Sequence, residues 1–309
     1  MLVARPLPTA GLAASRNVMA PDEFKKRLRG PILSFPTTYT ADFKLDYQGM
    51  RNMIEQALKG GVQVVALTNG NNQYGNLAYD EVKELTRFMV ETVAGRGITI
   101  VATGPWWTGQ TQDYARFAEA LGANAVQVLP PASVEDDGLF EHFKAVAAST
   151  KLGLVIHAQP SLGLLKRLMT IASVVAFKEE ATTDYTVPLY RQFGGRLNIF
   201  AGGTKARFLA YRPYGMQAYY SAFSTFAPKI ALRFWDAVQR NDQKEAAEII
   251  LKYDVPFFER WSNSFWRATL EYFGIAKRYV RPPDRSFSDK EMEEVKTFYQ
   301  GLGLHPSDS

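Results

Sequence analysis

"VVAFKEEATTD", residues 174–184, is an apolar run that ends in a lysine and two glutamates. Val174 to Phe177 has the make-up of a strand buried in a parallel sheet: short, β-branched and aromatic, with polar residues at its end. Two-residue alternation places Ala176 and Lys178 on one face of that strand and Val175 and Phe177 on the other. The lysine then has two readings. It snorkels from a strand end to water and pairs with Glu179 or Glu180, or it is an amine held on the inner face of a larger sheet. The flanking elements bear on the choice.

From residue 31 onward, strand-length apolar segments alternate with helix-length amphipathic ones. The strands read as "PILSF" (31–35), "VQVVAL" (62–67), "TIVAT" (99–103), "AVQVL" (125–129), "LGLVIH" (152–157), "VVAFK" (174–178), "LNIFA" (197–201) and "QAYYS" (217–221). Helical patterns between them include 47–59, 80–94, 112–121 and 138–149. Gly60, Gly61, Gly95, Gly122 and Gly215 stand near helix-to-strand joins, where a left-handed residue is needed. Eight such units closing on themselves make an α/β fold, a (β/α)8 TIM barrel spanning 30–240. A doubly wound open sheet is the structural alternative, but no glycine-rich phosphate fingerprint follows the first strand. Helical patterns at 243–253, 261–273 and 289–299, with "RPPDRS" (281–286) as a proline break, predict a C-terminal three-helix appendage over 241–309. Residues 1–29 read as a leader and a helix. The first twenty carry Arg5 and Arg16 and no acid, a pattern shared by transit peptides and by disordered leaders.

The chain has 309 residues, 46 % of them hydrophobic, enough for a sizeable core. It contains no cysteine, which removes disulfides, thiolate catalysis and cysteine-held metals from consideration. The three histidines, at 142, 157 and 305, are too scattered to suggest a histidine metal site. The net charge of +5 is mixed along the chain, and its densest patch, "KKRLR" (25–29), reads as a solvated helix face or an anion contact. No basic stripe interleaved with aromatics points to nucleic acid, and no apolar run approaches the ~18 residues of a membrane span. A cytoplasmic protein with a small-molecule partner is the expectation.

In a barrel, active sites lie at the C-terminal ends of the strands. Lys178 ends the sixth strand and faces inward by the alternation above. An amine enclosed by apolar residues loses hydration and therefore basicity, and the neutral form can attack a carbonyl carbon. At its ordinary pKa only ~0.04 % of a lysine is free amine at pH 7, whereas a depression of about three units, ~4 kcal/mol of differential solvation, frees half. The product would be a protonated Schiff base, an electron sink that promotes proton loss or C–C cleavage beside the former carbonyl.

With these residues in place, the chain resembles the dihydrodipicolinate synthase and N-acetylneuraminate lyase family. "VVAFKEEATTD" is similar to the family's sixth-strand signature, in which the lysine binds a 2-keto acid. "GPILSFPTTYTADFKLDYQG" (30–49), "LPPASVEDDGLFEHF" (129–143) and "SAFSTFAP" (221–228) resemble its first, fourth and eighth strand segments. The first of these, with "APDEFKKRLR" (20–29), looks most like the branch acting on 5-dehydro-4-deoxyglucarate. The resemblance implies a class I aldolase or dehydratase that needs no metal or organic cofactor and assembles as a homo-oligomer, a dimer or tetramer.

The chain departs from that pattern in several places. The family's glycine turn with two hydroxyl residues, which holds the substrate carboxylate, corresponds to "TNGNNQYGNL" (68–77). Gly70 keeps the turn there, and Asn71 and Asn72 fall on the hydroxyl positions, where their amides can still donate to a carboxylate. Such a run is also an ordinary turn composition. The proton-shuttling tyrosine at the end of strand five corresponds to His157, either a replacement base or a filler bonded to the barrel wall. A second tyrosine corresponds to Ala132, and an arginine of the synthase branch to about Leu162, which argues against lysine biosynthesis. Gly202 is expected to keep the pocket open. Trp106 and Trp107 would add aromatic bulk near its mouth or serve as interface packing. The site expectation is thus Lys178 as nucleophile, His157 as shuttle and Gly70, Asn71, Asn72 and Gly202 around the substrate. The alternatives are a keto-acid-binding protein without turnover, and a scaffold using the C-terminal aromatics Phe257 to Phe273 as an interface.

Overall fold

The computed structural model describes residues 18–306; the expected leader lies mostly outside them. Eight parallel strands, β1 (Gly30–Ser34), β2 (Val64–Ala66), β3 (Ile98–Ala102), β4 (Ala125–Val128), β5 (Gly153–Ile156), β6 (Val174–Glu179), β7 (Asn198–Ala201) and β8 (Ala218–Tyr220), pair in sequence order and close, β8 on β1. This is the TIM barrel that the alternation predicts. The intervening helices are α2 (Tyr47–Gly60), α3 (Tyr79–Val93), α4 (Thr108–Leu121), α5 (Asp136–Ser149), α6 (Leu162–Leu168), α7 (Thr183–Phe193), α8 (Lys205–Tyr211) and α9 (Pro228–Gln239). Gly61 and Gly122 take the left-handed positions that end α2 and α4, with φ of 106° and 87°. At the end of α3 Ala94 takes that conformation, followed by Gly95.

Strand residues sort into two apolar layers. Leu33, Val65, Val101, Val126, Phe177 and Ile199 belong to the layer shared with the surrounding helices. Ile32, Val64, Ile100, Val155, Phe200 and Ala218 fill the barrel interior. The strict alternation expected along β6 fails at one point, because Val175 joins Ala176 in the interior. The ladder shifts there: Leu154 pairs with Val174 and the next residue, Val155, with Ala176, so Val175 is the extra residue of a bulge. Beyond it the alternation resumes, Phe177 outward and Lys178 inward.

Helix α1 (Pro21–Arg27) closes the N-terminal end of the barrel. Phe24 and Leu28 are fully buried in the interior cluster, and Asn198, the first residue of β7, donates to the Lys25 and Leu28 carbonyls at 2.9 and 2.8 Å. Lys26, Arg27 and Arg29 stay exposed, the solvated-face reading of the basic patch.

The C-terminal helices form the expected appendage. α10 (Gln243–Ile249) continues through a π turn at Ile250–Asp254 into α11 (Val255–Glu259), followed by α12 (Asn263–Tyr272) and α13 (Asp289–Gly301). The π turn precedes Pro256, which lacks an N–H and crowds the preceding turn, so a wider ring relieves both problems. A buried ion pair, Lys205 Nζ to Asp254 Oδ1 at 2.5 Å, joins α8 to that π turn. Among the described residues no helix is long and apolar enough to cross a membrane.

Truncating Phe24 to Ala removes the plug from the barrel floor and is expected to cost about 3–5 kcal/mol. A denaturant midpoint equal to the parent's would show that α1 adds nothing to the core.

Candidate active site

Lys178 is placed by β6 at the C-terminal mouth of the barrel and is 9 % exposed. Its Nζ lies 3.0 Å from Glu180 Oε1 and 3.1 Å from His157 Nε2, with the Tyr220 ring centroid at 5.3 Å. The lysine does pair with a neighbouring glutamate, but inside the barrel rather than in water. Burial lowers its pKa from the ordinary lysine value, while the charge of Glu180 opposes that shift. Burial pushes Glu180 the other way, yet the hydrogen bond from His157 and the charge of Lys178 prevail and leave its carboxyl at about 2.

The two glutamates after Lys178 have separate work because successive residues face opposite sides. Glu179 is fully buried on the helix side, bonded to Arg207 Nη1 at 2.9 Å, Ala181 N at 2.6 Å and Thr186 Oγ1 at 2.6 Å. Those bonds tie the loop after β6 to α7 and α8. Glu180 turns inward over Gly202, where an added Cβ would lie 2.3 Å from Glu180 Cγ. The space that Gly202 leaves is therefore taken by Glu180, a correction to the expectation that it opens the pocket to substrate.

His157 leaves the end of β5 and reaches both charged groups, with Nε2 also 3.3 Å from Glu180 Oε2. Behind it the Tyr220 hydroxyl donates to Gln127 Oε1 at 3.1 Å, which turns the Gln127 amide nitrogen toward His157 Nδ1 at 3.2 Å. An amide N–H only donates, so this network assigns Nδ1 as the bare nitrogen and puts the hydrogen on Nε2, facing Glu180 and Lys178. Burial lowers the His157 pKa and favours the neutral ring. The other buried histidine, His142, bonds Thr108 Oγ1 at 3.0 Å.

A cavity of about 340 Å³ opens over Lys178. Its floor combines Ser34, Thr68 and Asn71, whose Nδ2 donates to Ser34 Oγ at 2.8 Å. The asparagine pair expected as a clamp is divided. Asn71 lines the cavity, whereas Asn72 is fully buried beneath it, its Oδ1 accepting from Thr68 N at 2.7 Å and its Nδ2 donating to the Phe35 carbonyl at 3.0 Å. Asn72 has no group left to offer a substrate and serves to fasten the loop after β2 to the loop after β1. Gly70 is exposed, away from the cavity lining, and a Cβ there would meet nothing. Ser221 Oγ, buried at the cavity wall, has no partner within the described chain.

Trp106 packs in the helix layer against Tyr74, Tyr79 and Tyr114. Trp107 is 70 % exposed and outside the lining. Besides Tyr220, the aromatics at the cavity are Phe258 of α11, Trp266 of α12 and Trp261 from the connection between them. From α12 the fully buried Arg267 donates to the Thr37 carbonyl (3.1 and 3.0 Å) and the Asn71 carbonyl (3.3 Å). Burial lowers its pKa to about 10, which leaves it charged at neutral pH behind the cavity floor. On the far side of His157 lies a second cavity lined by Pro130, Pro131, Ala132, Leu139 and Pro160. Among the described residues, no three His, Asp or Glu side chains converge as a metal-binding group requires.

The fold and the mouth of the barrel thus define an α/β-barrel protein with a buried lysine, and comparison with known proteins agrees. The Dihydrodipicolinate synthetase family profile matches residues 27–301, and the chain belongs to that family, one of class I lyases acting on keto acids. It is similar to a probable 5-dehydro-4-deoxyglucarate dehydratase of Saccharopolyspora erythraea, 28 % identical over 88 % of this chain and 93 % of that one. A protein of the same description from Pseudomonas fluorescens is 29 % identical over 92 % and 99 %. A prophage protein of the dihydrodipicolinic acid synthase family from E. coli K12, solved in complex with pyruvate, superposes with a TM-score of 0.80 at 20 % identity, covering 89 % of this chain and 99 % of that one. N-acetylneuraminate lyase from Mycoplasma synoviae gives 0.80 at 17 % identity, covering 89 % and 98 %.

Because Glu180 raises the Lys178 pKa, Glu180→Gln is expected to lower it, so the pH at which the amine becomes reactive toward a keto acid falls. Gly202→Ala, which displaces Glu180, should move the profile in the same direction. Adduct formation measured against pH tests both, and a profile that moves upward in Glu180→Gln would contradict the pairing.

Proposed function

We propose that this chain is a Schiff-base-forming lyase, an aldolase or dehydratase, that acts on a 2-keto acid through Lys178. The observation that carries the reading is the contact of His157 Nε2 with both Lys178 and Glu180 at a closed barrel mouth. A nucleophile, a proton carrier and a carboxylate share one hydrogen-bonded group there.

The neutral Nζ attacks the C2 carbonyl carbon. The carbonyl oxygen leaves as water, taking one proton from the attacking nitrogen and one from an acid, a part His157 Nε2–H is placed to play with Glu180 supporting the charge. The remaining N–H stays on the iminium, whose positive charge faces Glu180. Electrons released at C3, by loss of a proton or by cleavage of the C3–C4 bond, flow into that iminium. The enamine so formed becomes an iminium again in one of two ways: after cleavage, in which the C4 hydroxyl gives up its proton to become a carbonyl, C3 takes a proton; in dehydration the C4 hydroxyl is protonated and leaves as water. Hydrolysis of that iminium restores the lysine and releases the keto product.

The substrate carboxylate is assigned to the Ser34, Thr68 and Asn71 floor. Hydroxyl and amide donors converge there, and the buried Arg267 guanidinium adds a positive field from behind. Ser221 Oγ, unpartnered, offers a further hydrogen bond to the bound acid. The same His157 contact favours turnover over binding alone, since a Schiff base formed here has a proton carrier beside it.

Borohydride reduction in the presence of pyruvate is expected to leave a covalent adduct on Lys178, seen by intact mass and peptide mapping, and none in Lys178→Ala. Equal labelling of that variant would end the proposal. His157→Phe should lower turnover by about 10²–10⁴-fold while the adduct on Lys178 still forms.

A further inference from the structure

The charge inventory of the Lys178 cavity limits what can extend beyond the keto acid head. Among the described residues that line it, the lysine is the one cation, and its charge is already met by Glu180 at 3.0 Å. The buried Arg267 stands behind the floor, next to Asn71, and spends its donors on backbone carbonyls. One carboxylate is thus provided for, at the Ser34, Thr68 and Asn71 end. A second, held elsewhere in the cavity, would lose hydration without a cation to replace it and would share the space with the Glu180 carboxylate.

The remaining wall is of a different kind. Phe258, Trp261 and Trp266 border the cavity from the C-terminal appendage. Trp266 is held by a bond from Nε1 to Thr225 Oγ1 at 3.1 Å, whereas Trp261 leaves 44 % of its surface in water. A large apolar ring that lines a cavity while still wet gains by covering from a flat apolar group. The second cavity, across His157, is bordered by proline, leucine and alanine and likewise shows no cation among its described lining residues.

We propose that the substrate is a 2-keto acid with a single carboxylate and an apolar or aromatic tail seated on Phe258, Trp261 and Trp266, and that sugar diacids such as 5-dehydro-4-deoxyglucarate are rejected. This specificity rests on Lys178 being the Schiff-base lysine. It separates the chain from the relatives named for that diacid, with which it shares 28 % and 29 % identity.

The test is borohydride trapping at graded concentrations of three acids: pyruvate, 4-phenyl-2-oxobutanoate and 2-oxoadipate. The phenyl acid is expected to half-saturate trapping at a concentration at least tenfold below pyruvate, and the diacid at one above pyruvate. Trp261→Ala should shrink the ratio between phenyl acid and pyruvate about tenfold, and Trp261→Phe should restore most of it. A diacid that traps as readily as the phenyl acid overturns the inference, as does a ratio that Trp261→Ala leaves in place. If pyruvate gives no adduct on Lys178, the Schiff-base reading fails and this specificity falls with it. A pyruvate adduct without a phenyl preference overturns the specificity alone.

Discussion

An ammonium group taken out of water must be compensated, and the 3.0 Å contact between Lys178 and Glu180 is where this protein does so. Much of the mouth of the barrel is arranged around that contact. Glu180 reaches the lysine because β6 ends with its alternation intact after the bulge at Val175, and because residue 202 has no side chain to obstruct it. The compensation is partial by design of the surroundings: burial pulls the amine toward its neutral form while the carboxylate pulls it back. An amine balanced in this way can be protonated at rest and still yield its lone pair to a carbonyl.

The second constraint is the orientation of His157. A histidine bonded only to Glu180 and facing the lysine would be free to turn, but the Gln127 amide, itself held by the Tyr220 hydroxyl, fixes it from behind. Gln127, Lys178 and Tyr220 come from β4, β6 and β8, and His157 and Glu180 directly follow β5 and β6, so the closed barrel brings all five to one end. The C-terminal helices do for the floor what Gln127 does for the histidine. Arg267 fixes the carbonyls of Thr37 and Asn71, so the loops after β1 and β2 are held by a residue of α12. Removing any of these supports would leave the lysine in place and its surroundings unset.

The framework was legible because it depends on short-range pattern. Strand order, the helix-to-strand joins, the inward lysine and the proline break all follow from periodicity and from glycine and proline positions. The site was legible only where one residue stands out, as Lys178 and His157 do. Gln127 and Tyr220 were missed because each reads as an ordinary member of a strand, and nothing local says that positions 127, 157, 178 and 220 meet. The asparagines misled for a related reason: adjacent residues in a turn point in different directions, so Asn71 faces the cavity while Asn72 is consumed by the Phe35 carbonyl and the Thr68 amide. Glu179 and Glu180 are equivalent in composition and opposite in role, a difference that only the direction of the strand reveals. The tryptophans at 106 and 107 drew attention by proximity in sequence to a barrel loop. The ring that borders the cavity, Trp261, arrives from the appendage.

The position of Arg267 also bears on the order of events during synthesis. The ribosome delivers the chain from its N-terminus, so every strand of the barrel, and Lys178 itself, emerges before α12. Until then the Thr37 and Asn71 carbonyls have no guanidinium to bind, and the aromatic border of the cavity is missing. The reactive amine is thus made before its recess is complete, which makes α12 a maturation step for chemistry encoded far upstream.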